Sequence, residues 1–238
     1  DIEIANYGKD SLMSKVICYN VFDNGKLISS GNFSDVDIPQ GGLSKIGRFT
    51  SKLDAGKFGK KIDILVEILG TSYKNKWSVW VFPKGDRIDN SKDIIQTSSL
   101  DVALEELKRG KKVLLMADKL GNRQNKIYSA FNPVFWSATW FTGQDTDVSG
   151  AYIRNTHPAL SLFPTEDVMD WQWEDVCRKS RGFILNDFPK DYFPIVQPVN
   201  DFHHGNKLGT VFELRTSEGG KLMVCGYNIM DSLDVRLA

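Results

Sequence analysis

At 238 residues and 41% apolar content the chain can bury one large core or two ordinary ones, and 30 basic against 30 acidic residues exclude the charge excess of a nucleic-acid or anionic-membrane binder. Three cysteines, Cys18, Cys177 and Cys225, are too scattered and odd in number for a disulfide framework or a paired Cys-x-x-Cys metal site, and each reads as core material. No apolar run approaches the ~18–20 residues of a membrane helix. No signal peptide opens the sequence, and Asp1 stands before a strand-like Ile2-Glu3-Ile4-Ala5-Asn6-Tyr7, so the sequence reads as a piece of something longer.

Residues 1–84 carry short strands and turns without a helical period. Val16 to Phe22 runs through Asp23-Asn24-Gly25-Lys26 into Leu27 to Gly31, a hairpin because Asn-Gly supplies the positive φ of a tight turn. A further strand ends at Asp35-Val36-Asp37-Ile38, and others are predicted at Ser44–Leu53, Lys61–Leu69 and Trp77–Phe82. About seven strands at this spacing predict an immunoglobulin-like sandwich. Trp77 and Trp80, three apart in a strand, fall on opposite faces, one toward the sandwich core and the other available to a second domain.

The period changes across the polar stretch Lys84 to Ser91, which sets the boundary between domains over 1–84 and 90–238. Ile94–Thr97, a capped amphipathic helix from Ser99 to Gly110, and the apolar Lys112–Ala117 form a βαβ unit with parallel strands, so the second domain is predicted as α/β with a mainly parallel sheet. An aromatic-rich segment from Ile127 to Phe141 contains Trp136 and Trp140. In His157 to Trp173, Pro158 and Pro164 deny regular structure while Leu160, Phe163, Trp171 and Trp173 ask for burial, which predicts a packed loop. Thr165 before Glu166 and Asp167 reads as a helix start, with Trp171, Trp173, Val176 and Cys177 on the helix. Strands follow at Gly182–Asn186 and Ile195–Val199, then a hairpin at a sheet edge or end over Leu208–Thr216 and Lys221–Tyr227. The tail from Met230 reads as a helix left incomplete at Ala238.

Catalytic chemistry is thinly represented. Cys225 comes closest to a nucleophile elbow, but Met223 and Val224 before it are too bulky for that turn. His203 and His204 read as exposed loop residues, since no second cluster has zinc spacing. No phosphate-binding glycine loop follows a strand, so no nucleotide cofactor is expected, and no metal or other cofactor either. Glu166, Asp167, Asp170, Glu174 and Asp175 are clustered enough for a glycosidase carboxylate pair, though a helix start attracts acids anyway.

Three phrases in fixed order carry a family resemblance: Asp37-Ile38-Pro39-Gln40-Gly41 with Ile46-Gly47, Asn75 to Pro83, and His157-Pro158-Ala159-Leu160 with Phe163-Pro164-Thr165 and Trp171-Gln172-Trp173. Together they resemble the C-terminal region of bacterial family 2 glycoside hydrolases, the β-galactosidase-like enzymes of Bacteroidetes. The resemblance implies an immunoglobulin-like sandwich followed by a class I glutamine amidotransferase-like α/β domain. The amidotransferase triad has no matching residues here, and the parent's glycosidase residues belong to a (β/α)8 barrel for which this chain has no room. The resemblance thus implies a non-catalytic accessory segment in glycan degradation, in the periplasm or at the cell surface, with the parent's catalytic domains as partners. Glycan binding on Trp136, Trp140, Trp171 or Trp173 is the ligand expectation, with no nucleic-acid partner and no membrane insertion. The competing reading is a hydrolase site of the α/β domain's own, built from Glu166 and Asp170 with His157 or His203.

Overall fold

The computed structural model describes residues 1–56, 58–83, 93–120, 148–177, 180–200 and 205–229, with backbone alone at 148, 149 and 171. The chain is mostly β-sheet with few helices. It divides into two compact units, Asp1–Pro83 with Leu162–Pro164, and Lys84–Ser161 with Thr165–Ala238. The stretch Lys84 to Asn90, where the sequence places the boundary, lies outside the described residues.

Unit one is built from β1 (Ile2–Asn6), β2 (Leu12–Asp23), β3 (Lys26–Ile38), β4 (Gly42–Gly47), β5 (Lys60–Ile68) and β6 (Lys74–Val81). The hairpin β2–β3 closes on Asn24 and Gly25, at φ +48° and +78°, the left-handed pair that a two-residue turn requires. β3 absorbs two of the predicted strands. Gly31 and Ser34 mimic a break in the sequence, but the ladder to β2 continues past them through register shifts, with Asp35 at φ +56°. The described residues therefore give six strands where about seven were expected. The predicted strand Ser44–Leu53 also ends early, because Phe49 leaves the ladder to stack on Tyr19 of β2, ring centroids 4.1 Å apart. The strands make a four-stranded sheet, β3-β2-β5-β6, and a two-stranded sheet, β1-β4, all antiparallel. Ile2, Ile17, Ile38, Val66 and Ile68 form the buried core.

Unit two begins with β7 (Ile94–Thr97), α1 (Leu100–Lys108) and β8 (Lys112–Met116). The Ser99 hydroxyl accepts from the Val102 amide as N-cap, Gly110 follows the helix at φ +73°, and Ala103 and Leu107 are its buried residues. Removing the cap in Ser99→Ala should lower stability by about 1 kcal/mol, a thermal shift of ~2–4 °C in a unit of this size. An unchanged melting curve would show that the hydroxyl is not needed.

Further on come β9 (Val148–Ile153), α2 (Glu174–Cys177), β10 (Phe183–Ile184), β11 (Val196–Asn200), β12 (Leu208–Gly209), β13 (Val211–Arg215) and β14 (Lys221–Cys225). Six of these strands form one sheet in the order β7-β8-β14-β13-β11-β9, and β10 pairs β12 separately. The βαβ pair β7–β8 is parallel, as is β8–β14, but β14–β13, β13–β11 and β11–β9 are antiparallel. The expected mainly parallel, amidotransferase-like sheet is corrected to a mixed one. The short Ser217-Glu218-Gly219-Gly220 loop requires antiparallel β13 and β14, while the antiparallel β13–β11 and β11–β9 pairs join strands distant in the chain. That hairpin is not at an edge, since β14 lies between β8 and β13. α1, β8, β13 and β14 share a core of Ala103, Leu107, Val113, Leu115, Phe212, Leu222 and Val224. No helix among the described residues is long and apolar enough to cross a membrane.

Candidate functional site

The predicted helix start at Thr165 does not form. Val168 bridges Tyr152 of β9, the Ile153 amide donates to the Asp167 carbonyl and the Met169 amide to that of Ala151, so this segment is held extended against a strand. A 3-10 turn begins only at Trp171, and α2 follows it. Asp170 does the capping: its Oδ1 accepts from the Gln172 amide at 3.1 Å. Thr165 Oγ1 instead accepts from the Trp173 indole N–H at 2.9 Å.

That bond places Trp173 in the interior. It is 3% exposed, with its ring 5.7 Å from that of Tyr227. A buried indole offers no face to a sugar, so Trp173 is corrected from glycan platform to core residue. Trp136 and Trp140 lie outside the described residues, as do His203, His204 and the side chain of Trp171. In unit one the ladder sets Trp77 opposite Ile64 and Trp80 opposite Lys61, on alternate faces, with Trp77 on the face that carries the core.

Of the alternative hydrolase residues, Glu166 and Asp170 are half-buried. His157 takes a different direction. It caps the 3-10 turn Pro158–Leu160 by accepting from the Ala159 amide at Nδ1, 3.2 Å away, which leaves the proton on Nε2. Nε2 lies 3.5 Å from Glu213 Oε1 of β13. Glu213 is an acid that sequence reasoning did not single out.

Glu213 stands at the rim of an open pocket of about 470 Å³, with Arg154, Asp191, Tyr192, Phe193 and Arg215 around it. Alternation along β13 sends Phe212 and Leu214 to the core and leaves Glu213 and Arg215 exposed. Arg154, just past β9, donates through Nη1 to the Phe193 carbonyl at 3.1 Å, and its backbone amide bonds the Ile195 carbonyl. The Tyr192 hydroxyl donates to the Glu213 carbonyl at 2.8 Å. Burial raises the Tyr192 phenol above its ordinary range, so it stays a donor at neutral pH. Lys207 Nζ donates to the Pro189 and Lys190 carbonyls and lies 5.7 Å from the Tyr192 ring centroid and 5.8 Å from that of Phe193. Phe193 is nonetheless 61% exposed. The pocket thus combines an open aromatic face with charged donors and an acceptor at its rim. In sequence only the alternation around Glu213 hinted at it, because Arg154 and Tyr192 arrive from distant segments.

Cys225 is buried, at 6% exposure. Burial, reinforced by Asp118, pushes its thiol up to about 11 from 9.0, and the thiol donates to the Tyr227 carbonyl at 3.6 Å. The folded-state value lies above the unfolded one, so this thiol contributes stability in full below pH 9 that is lost as pH rises toward 11. Maleimide at neutral pH should modify Cys225 only after unfolding; rapid labelling at Cys225 itself in the native chain, as distinct from the half-exposed Cys18, would contradict this placement. Among the described residues no cluster of three or more His, Cys, Asp or Glu is placed to hold a metal ion.

A family model described as a domain of unknown function, DUF8488, matches residues 1–83, and a second, DUF8487, also a domain of unknown function, matches residues 95–238. No curated protein matches the chain. The longer match covers more than half of the chain, which belongs to the DUF8487 family.

Proposed function

We propose that the chain is a non-catalytic accessory segment of a family 2, β-galactosidase-like glycoside hydrolase and that unit two binds carbohydrate at the Phe193 pocket. The observation that carries this reading is the exposed Phe193 face bordered by Arg154, Lys207 and Glu213. A pyranose has a flat C–H patch and a ring of hydroxyls. The patch gains by covering an exposed aromatic ring, and the hydroxyls find donors in a guanidinium and an acceptor in a carboxylate. In the same reading unit one is an immunoglobulin-like sandwich, with β1 and β4 in the places of strands B and E and β3-β2-β5-β6 in those of C′, C, F and G. The parent's catalytic domains are its partners, and the periplasm or cell surface its location.

The hydrolase alternative is less favoured because Asp170 Oδ1 is engaged as a cap and His157 is turned to Glu213. Nitrophenyl glycosides should therefore show no turnover with the purified chain. Turnover that disappears in Glu166→Gln, Asp170→Asn or His157→Asn would replace the accessory reading with an enzymatic one.

Binding is tested by calorimetric titration of the chain with galactosides and plant or host oligosaccharides. Phe193→Ala should weaken a saturable interaction by roughly 2–10-fold, the range of an aromatic contact of about 0.5–1.5 kcal/mol. Absence of any saturable heat up to millimolar sugar, or equal affinity in Phe193→Ala and Arg154→Ala, would sink the assignment of this pocket.

A further inference from the structure

Three cations stand side by side at one end of the six-stranded sheet of unit two. Lys112 opens β8, Lys221 opens β14 and Arg215 closes β13. The ladders pair Lys221 with Lys112 on one side and with Arg215 on the other. Ladder partners project to the same face, so the three charges form one row across adjacent strands, about 10 Å long at ~4.8 Å per strand spacing. Each of these residues is exposed. None has a side-chain hydrogen bond or ion pair among the described residues.

The fold does not ask for this row. A single lysine at a strand end is an ordinary solvated group, but like charges directly across a ladder repel, and Lys221 has a cation on each side. The acids nearby are turned to other groups. Glu218, in the turn that joins β13 to β14, is held below the ordinary carboxylate range by hydrogen bonds from its own backbone amide and from Ser217 and Thr216, with the charge of Lys108 on α1 adding to them. Glu213, two residues before Arg215 on the same face, lies against His157. What the row lacks is an anion, and one from outside the chain would relieve the repulsion.

Arg215 also lines the Phe193 pocket, as does Arg154. The row therefore begins at the pocket and leads away from it over β14 to β8. We infer, on the carbohydrate reading of this pocket, that unit two takes acidic rather than neutral glycans, with one sugar ring on Phe193 and the carboxylate or sulfate groups of the sugars that follow on Arg215, Lys221 and Lys112. A carboxylate or sulfate meets a guanidinium through two parallel hydrogen bonds and an ammonium as a point charge. An acidic polysaccharide repeats such groups along its length, which is what a row of cations on successive strands can follow. Asp191 and Glu213 at the rim stay acceptors for the hydroxyls of the ring on Phe193. Nucleic acid fits less well, because a chain with 30 basic and 30 acidic residues has no charge excess with which to follow a phosphate backbone beyond the row.

The test is calorimetric titration of the whole chain with oligosaccharides of equal length: a neutral galactan, an oligogalacturonate and a sulfated galactan. An exposed ion pair is a factor of roughly 1.5–5 in affinity, so at low salt an acidic probe should bind ~10-fold tighter than the neutral one, and which acidic probe does so separates carboxylate from sulfate. In the double variant Lys112→Gln/Lys221→Gln the ratio of acidic to neutral affinity should fall to about 2 or less, and ~1 M salt should have the same effect on the parent. Lys221→Gln takes out the middle charge and should leave the melting temperature unchanged or raise it. Equal binding of neutral and acidic probes, or a preference that survives the double variant or ~1 M salt, would overturn the inference and leave the Phe193 pocket standing. Saturable binding of neither would overturn both. Single-stranded DNA bound as tightly as the acidic glycan would mark a general polyanion surface and overturn the inference as well.

Discussion

Trp173→Ala is expected to cost unit two about 3–5 kcal/mol, the range for deleting a buried aromatic side chain, and thereby most of the stability of an ordinary domain. The indole is buried, fills the space beside Tyr227, and spends its N–H on Thr165. Its removal leaves a cavity and frees a segment that is otherwise held between β9 and α2. Trp173→Phe keeps most of the volume and loses the hydrogen bond, so it should cost less, on the order of 1–2 kcal/mol. Hydrogen exchange of the β13 and β14 amides reads unit two by itself. If Trp173→Ala moved that free energy by under about 1 kcal/mol, the tryptophan would be a surface group rather than a core residue.

The second large effect is expected at Gly226, for a different reason. A Cβ there would lie 2.1 Å from the Arg181 carbonyl oxygen and 3.1 Å from that of Thr210. Both neighbours are backbone, and both are tied to the glycine itself: Arg181 N donates to Gly226 O at 2.7 Å and Gly226 N to Thr210 O at 2.8 Å. A flexible side chain could swing away, but these cannot move without breaking those bonds. Gly226→Ala should therefore reach the upper end of the ~1–3 kcal/mol typical of overpacking, or exceed it. Serine should behave like alanine. A variant as stable as the parent by thermal denaturation would mean that the two segments can separate without loss.

What the sequence made legible was local chemistry. The Asn24-Gly25 turn, the Ser99 cap with its Gly110 stop, and the short loop between β13 and β14 each state their conformation within a few residues, and each is present in the structure. The Thr165 helix start has the same local credentials and failed, because a partner distant in the chain, Tyr152, draws Val168 into a bridge before a helix can begin. Mixed rather than parallel pairing was hidden for the same reason: the period of a strand tells which face it buries, not which neighbour it takes. The Phe193 pocket shows the limit most clearly. Arg154, Tyr192 and Glu213 come from three separate segments, and nothing in the vicinity of any one announces the others. Sequence reasoning groups His157 with Glu166 and Asp170, whereas the acid 3.5 Å from its Nε2 is Glu213 on β13, across a non-local contact.

The position of β14 has a consequence for the order of events during synthesis. It is the last strand of its sheet to leave the ribosome, yet it stands in the middle, joining β8 on one side to β13 on the other. Until it emerges, β8 lacks the ladder partner that joins it, among the described residues, to the antiparallel strands. Unit two is therefore expected to stay uncommitted through most of its translation and then to close in one late step, with chaperone demand concentrated in that interval. A nascent chain arrested just before Lys221 should be cut by protease throughout unit two, and one arrested well after Tyr227 should resist.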